Sequence, residues 1–166
     1  MVNRKVNYYI GIDNGVNGGI VVLDKNQKII SKHVMPVLGK STKEYDISTI
    51  KHLLNRYNDN AFAVLEKAQA QFRDGKKQAF KTGFGYGVMQ ALLIAENIPH
   101  QIVAPKTWQK KVFKGLPSED TKVASILFCK RKWPSEDWTA TQRSQKCHDG
   151  MTDAGCMAYY GVQIYE

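Results

Sequence analysis

Residues Asn7 to Asp24, NYYIGIDNGVNGGIVVLD, constrain what this chain can fold into more tightly than any other stretch. Tyr8, Tyr9, Ile10 and Ile12 are apolar strand formers, and the run breaks at Asp13. A glycine-rich turn follows (Asn14, Gly15, Asn17, Gly18, Gly19), and Ile20 to Leu23 is a second apolar run. Two strands joined by a tight turn are expected, with the glycines supplying positive-φ positions. Asp13 is the one acid at the end of a strand of otherwise buried character. A carboxylate buried without a partner is costly, so Asp13 should be paired or hold a cation. The plainer alternative is that Asp13 and Asn14 only start the turn.

Lys28 to Val34 reads as a third strand continuing the meander, and Met35 to Asp46 as a polar loop with Pro36, Gly39 and Ser41. After Asp46, the residues Ile47, Ile50, Leu53, Leu54 and Tyr57 recur at helical spacing. Ala61 to Leu65 is a short, continuously apolar run, the mark of a strand buried on both faces. It stops at Glu66, a second acid at a strand end; paired with Lys67 on the surface, Glu66 would be unremarkable. Lys67 to Lys77 is basic, with Phe72 among Arg73, Lys76 and Lys77. An aromatic in such a loop can stack on a base or wedge into branched DNA, or it can tuck back onto its own domain.

Gln78 to Glu96 has helical periodicity through Phe80, Phe84, Val88, Ala91, Leu92 and Ala95. Gly83, Gly85 and Gly87 within it point to close approach, by a neighbouring helix in preference to a DNA backbone. Pro99 to Val103 predicts a fifth strand. In the segment that follows, Lys106, Lys110, Lys111 and Lys114 are interleaved with Trp108 and Phe113. Thr121 to Trp133 predicts an amphipathic helix, begun by the polar run from Ser118 and stopped by Pro134. Its basic end suits the helix dipole and need not mean nucleic acid. Ser135 to Cys147 reads as a mobile polar loop. A last helix begins at Asp149, where an N-cap role is one reading. Asp153 lies one turn on, so both carboxylates face the same way. Ala154 and Gly155 beside it permit close packing against the sheet.

Composition narrows the function. With 166 residues, 43% of them hydrophobic, the chain is expected to form a single domain spanning 1–166. A net charge of +9 biases a small domain towards polyanions, nucleic acid above all. No apolar window of about 20 residues predicts a membrane span, and no signal peptide is read at Met1 to Val6. Cys129, Cys147 and Cys156 are odd in number and scattered, with no CxxC, so neither a disulfide framework nor a zinc knuckle is expected. An intracellular, cytoplasmic compartment follows (the host cytoplasm, if the chain is phage-encoded).

Acids gathered in a basic protein repel one another and a polyanion alike, and make sense if divalent cations neutralise them. Asp13, Glu66, Asp149 and Asp153 offer hard oxygen ligands of the kind that suit Mg²⁺ or Mn²⁺. Two such ions about 3.5–4 Å apart would serve phosphodiester hydrolysis, with lysines holding the phosphates.

The pieces IGIDNGVNGG, VLEKAQAQF, APKTWQKKVF with TKVASILF, and HDGMTDAGCMAYYG span nearly the whole chain. In combination they resemble the RuvC-type Holliday junction resolvases, including the shorter phage versions, of the ribonuclease H-like superfamily. That resemblance implies an α/β fold: a five-stranded mixed sheet, antiparallel meander plus parallel strands, flanked by helices. It implies a Mg²⁺- or Mn²⁺-dependent endonuclease, with two ions per site, acting as a homodimer on four-way and other branched DNA. Asp13, Glu66 and Asp153 would be metal-binding catalytic acids, with Asp149 the fourth. Phe72 would act at the junction centre, with Arg73, Lys76 and Lys77 beside it on the DNA. Supporting lysines map loosely onto Lys106, Lys110 or Lys111, and Lys122. The chain departs from the family pattern at Asn14, where many members have proline. Its last two acids are four residues apart where three is common. His148 beside them is a ligand, a base or a residue preceding the helix cap. Two other readings stay open: a ribonuclease H cutting RNA in a hybrid, and a branched-DNA-binding protein that does not cut. An actin-like or sugar-kinase phosphate loop is a poor fit, since it needs two such domains around a nucleotide, and no GxxxxGK[ST] supports ATP hydrolysis.

Overall fold

The computed structural model describes residues 5–69 and 75–165. The elements run β1 (Tyr8–Asp13), β2 (Gly19–Asp24), β3 (Ile29–Val34), β4 (Val37–Leu38), β5 (Glu44–Tyr45), α1 (Ile47–Asn55) and β6 (Ala61–Glu66). They continue with α2 (Lys76–Ala95), β7 (His100–Val103), α3 (Pro105–Val112), α4 (Thr121–Lys132) and α5 (Asp149–Tyr165). The expected hairpin forms, pairing Tyr8 with Asp24 through to Asp13 with Gly19. β3 adds antiparallel to β2, while β6 lies parallel to β1 and β7 parallel to β6. The five-stranded order is β3-β2-β1-β6-β7.

Side chains alternate across a pleated strand, so each strand feeds two cores. Tyr9, Val21, Leu23 and Val64 point to the layer holding α5, with Trp108, Trp133 and Trp138 packed among them. Ile10, Ile12, Ile20, Val22, Ala63 and Leu65 point to the layer of α1 and α2, against Ile50, Leu54, Met89 and Leu93. Asp46 caps α1 by accepting from the Thr49 amide at 3.0 Å, and Asp120 caps α4 through the Lys122 and Val123 amides.

Three expectations need correction. The turn glycines after Asp13 are not there for positive φ; among the described residues only Gly39 and Gly115 are glycines of that kind. Gly18 and Gly19 are there for room: a Cβ on Gly18 would lie 2.1 Å from the Asp13 carbonyl oxygen, and one on Gly19 2.9 Å from the Gly150 carbonyl oxygen. The segment Met35 to Asp46 contains a small antiparallel pair, β4 with β5, too short for period-2 patterning to reveal. The segment Ser135 to Cys147 is pinned: Trp138 is buried against Trp133, and Thr139 bridges Cys147. Cys129, Cys147 and Cys156 are free thiols. Among the described residues no helix is long and apolar enough to cross a membrane.

Candidate active site

The parallel register puts Ile12 beside Leu65, so the next residues along, Asp13 and Glu66, leave the sheet side by side at the same edge. α5 crosses this edge at its first turn. A Cβ on Gly150 would lie 2.4 Å from the Gly18 Cα, so helix and turn touch backbone to backbone. Asp149 and Asp153 are thereby delivered to the strand ends. Asp13, Asp149, Asp153 and Lys122 share one cleft of about 400 Å³ with Gly15 and Gln78. Glu66 is not part of that lining but repels both Asp13 and Asp153.

The electrostatics are those of acids held against their preference. Burial pushes Asp13 up to about 6; the Gly15 amide, donating to Oδ1 at 3.2 Å, opposes the shift and Asp149 adds to it. Burial likewise raises Glu66 to about 7, against a hydrogen bond from Trp108 Nε1 to Oε2 at 2.7 Å and reinforced by Asp13. Asp153 reaches about 7 through burial, partly offset by the Ser125 hydroxyl and reinforced by Asp13, Glu66 and Asp149. Desolvation and like charge both disfavour the ionised form, and a bound cation would reverse both.

Among the described residues, no three His, Cys, Asp or Glu side chains form a ready-made cage for one ion. The set is open. Mg²⁺ keeps several waters and takes one or two carboxylates together with substrate phosphate oxygens, so it does not require such a cage.

No protein-family model and no curated protein matches the sequence. Solved structures do match. Thermus thermophilus RuvC in complex with a Holliday junction substrate superposes with a TM-score of 0.60 at 13% identity, covering 92% of this chain and 90% of that one. A second Thermus thermophilus RuvC structure gives 0.57 at 14%, covering 95% and 96%. The chain has the RuvC fold.

Within this RuvC fold the site residues expected from the sequence divide clearly. Asp13, Glu66, Asp149 and Asp153 converge, and Lys122 joins them, its Nζ 3.3 Å from Asp149 Oδ2. That pair is largely exposed and holds little energy of its own. Lys106 and Lys110 are exposed on α3, and Lys76 and Lys77 on the first turn of α2. Lys111 is turned away: its Nζ donates to the Gln163 carbonyl at 3.2 Å and lies over the Tyr160 ring. Gln163 is ten residues along α5 from Asp153, about 15 Å at the helical rise, so Lys111 does not serve the acids. Phe72 and Arg73 lie outside the described residues. His148 immediately precedes α5 and caps it, its Nδ1 accepting from the Met151 amide at 3.2 Å, so the cap falls to His148 and Asp149 stands in the helix's first turn instead of capping it.

Three contributors escaped sequence reasoning. Trp108, interleaved with lysines in the sequence, is fully buried and holds Glu66. Asn14 donates from Nδ2 to the Glu66 carbonyl at 2.9 Å and accepts from the Tyr45 hydroxyl at 2.7 Å. Ser125 in α4, whose hydroxyl donates to the Lys122 carbonyl at 3.1 Å and lies 3.1 Å from the Thr152 hydroxyl, favours the ionised form of Asp153. Adjacency to Asp13 was the available signal for Asn14. The other two depend on contacts between distant segments and carry none.

Proposed function

We propose that this chain is a divalent-cation-dependent endonuclease that resolves four-way DNA junctions. The observation that carries the reading is the convergence of Asp13, Glu66 and Asp153, each held well above the usual carboxylate range, at the carboxyl edge of parallel strands in a RuvC fold. Asp13, Glu66, Asp149 and Asp153 would hold Mg²⁺ or Mn²⁺, two ions per site. Bound there, the ions would supply charge neutralisation and Lewis-acid chemistry for phosphodiester hydrolysis. Trp108 fixes one oxygen of Glu66 and leaves the other available. Lys122 offers a cation at the cleft mouth for a phosphate oxygen.

Paired incision of a symmetric junction needs two such sites, and a homodimer supplies them. The outer face of α2 supports this. Phe80, Phe84, Gly87, Ala91 and Ile94 are exposed at spacings of four, three, four and three, the seam of a helix that packs on another. Phe80 and Ile94 are 73% and 62% exposed, an apolar display unusual for an unpartnered helix.

The test is cleavage of a labelled immobile four-way junction beside linear duplex and RNA–DNA hybrid, in Mg²⁺, Mn²⁺ or EDTA. Symmetric paired nicks on the junction alone, lost in EDTA and at least 10³-fold slower in Asp13→Asn while junction binding persists, are expected, a loss on the order seen when charge stabilisation is removed. Cutting of the hybrid alone would replace the reading with ribonuclease H activity. Tight junction binding without cleavage in either metal would make the chain a binding protein.

A further inference from the structure

Beside the acidic cleft lies a second one of about 450 Å³, sharing Gly15, Val16, Asn17 and Gln78 with it but lined by Lys40, Lys43 and Lys81 and by no acid. We propose that it is a phosphate subsite that grips the sugar–phosphate backbone of the strand whose neighbouring phosphate enters the acidic cleft. The inference rests on the nuclease reading and adds to it the side on which the strand leaves the acids.

Three observations carry it. The lysines come from separate elements, two from the turn between β4 and β5 and one from α2, and face a common space. Their frame is rigid. Gly39 has φ +81°, and a Cβ there would lie 2.3 Å from the Thr42 carbonyl oxygen, so the turn is tight. Tyr45 then locks the hairpin down: its hydroxyl donates to Asn14, and a Cβ on Gly85 would lie 2.0 Å from that oxygen. The lysines are therefore held at a set offset from Asp13. Finally, their charges are available. Lys43 Nζ donates to the neutral Asn17 Oδ1 at 2.6 Å, and among the described residues none of the three forms an ion pair. Cations with no carboxylate partner, next to a cluster that would otherwise repel DNA, suit a polyanion backbone.

The experiment compares salt-dependent binding of a four-way junction and a linear duplex, in EDTA, by wild type, Lys43→Gln/Lys81→Gln and Lys25→Gln/Lys28→Gln. The last pair flanks the turn between β2 and β3, at the opposite end of the sheet, and removes the same two charges from the +9 total. Losing two phosphate contacts per protomer should lower the slope of log K against log salt by about 2, and weaken binding about 30-fold at 0.15 M, for each protomer that engages the DNA. The control pair should leave the slope unchanged. Equal behaviour of the two variants overturns the subsite, while the nuclease reading stands if wild type cuts the junction in Mg²⁺. A selective slope loss in a protein that cuts nothing leaves the subsite in place and removes the nuclease. Absence of binding to either DNA overturns both.

Discussion

Helices α2 and α5 cover opposite faces of one sheet, and both are rich in glycine and small residues. In α5 those residues bring backbones into contact. The carbonyl of Ala154 sits where a Cβ on Gly11 would be, at 1.9 Å, and Gly161 meets Val64 at 3.1 Å. In α2 only Gly85 is used this way, against Tyr45 and Asn14; a Cβ on Gly83 or Gly87 would meet nothing within 4 Å. A helical glycine costs about 1 kcal/mol relative to alanine. The α5 face recovers that cost within the chain. Gly83 and Gly87 of α2 do not, unless a second copy lies on them.

The sharpest way to break the contrast is Gly11→Val. Its side chain would collide with α5 backbone, which cannot swing aside, so loss of well over 3 kcal/mol is expected, a fall of the thermal midpoint on the order of 10 °C or failure to fold. A midpoint within 2 °C of wild type would show that α5 can ride away from β1, and the site with it.

A middle-sized effect concerns the acids that α5 carries. Asp13, Glu66 and Asp153 titrate at about 6, 7 and 7 in the fold, above the usual carboxylate range. The folded chain therefore binds protons that the unfolded chain has released. Their contribution is fully present below about pH 4 and is lost as pH rises through 6 to 7. In EDTA, the midpoint difference between Asp153→Asn and wild type should grow in the variant's favour from pH 5 to pH 8. Mg²⁺ should narrow it by stabilising wild type alone. A difference independent of pH would mean that Asp153 is not held against repulsion.

The smallest effect belongs to α2. Gly83→Ala and Gly87→Ala should each raise the monomer's midpoint by about 2–4 °C, the equivalent of about 1 kcal/mol. In sedimentation they should weaken self-association if the seam needs close approach. Stabilisation without any change in association would move the dimer contact off this face.

What could be read from the chain beforehand follows the range of the physics. β1, β2, β3, β6 and α1 announce themselves through local periodicity and capping, and the four acids through their places at element ends. The role of glycine in the turn after Asp13 was misjudged because close approach and positive φ demand the same residue. Trp138 hid in a polar segment, since a single anchor leaves no period. The direction of Lys111 and the partner of Glu66 depend on how distant helices dock, which sequence spacing does not encode.

Asn14 has one consequence of its own. Its amide reaches the Glu66 carbonyl one step beyond the last paired rung of β1 and β6, acting as a spacer gauge between the two strand tips. Proline at that position has no group with which to do this. The interval between Asp13 and Glu66 is thus metered against a main-chain oxygen, which no substitution at residue 66 removes. Glu66 can therefore be exchanged for another side chain without the tips drifting apart, so a chemically silenced site can keep its shape.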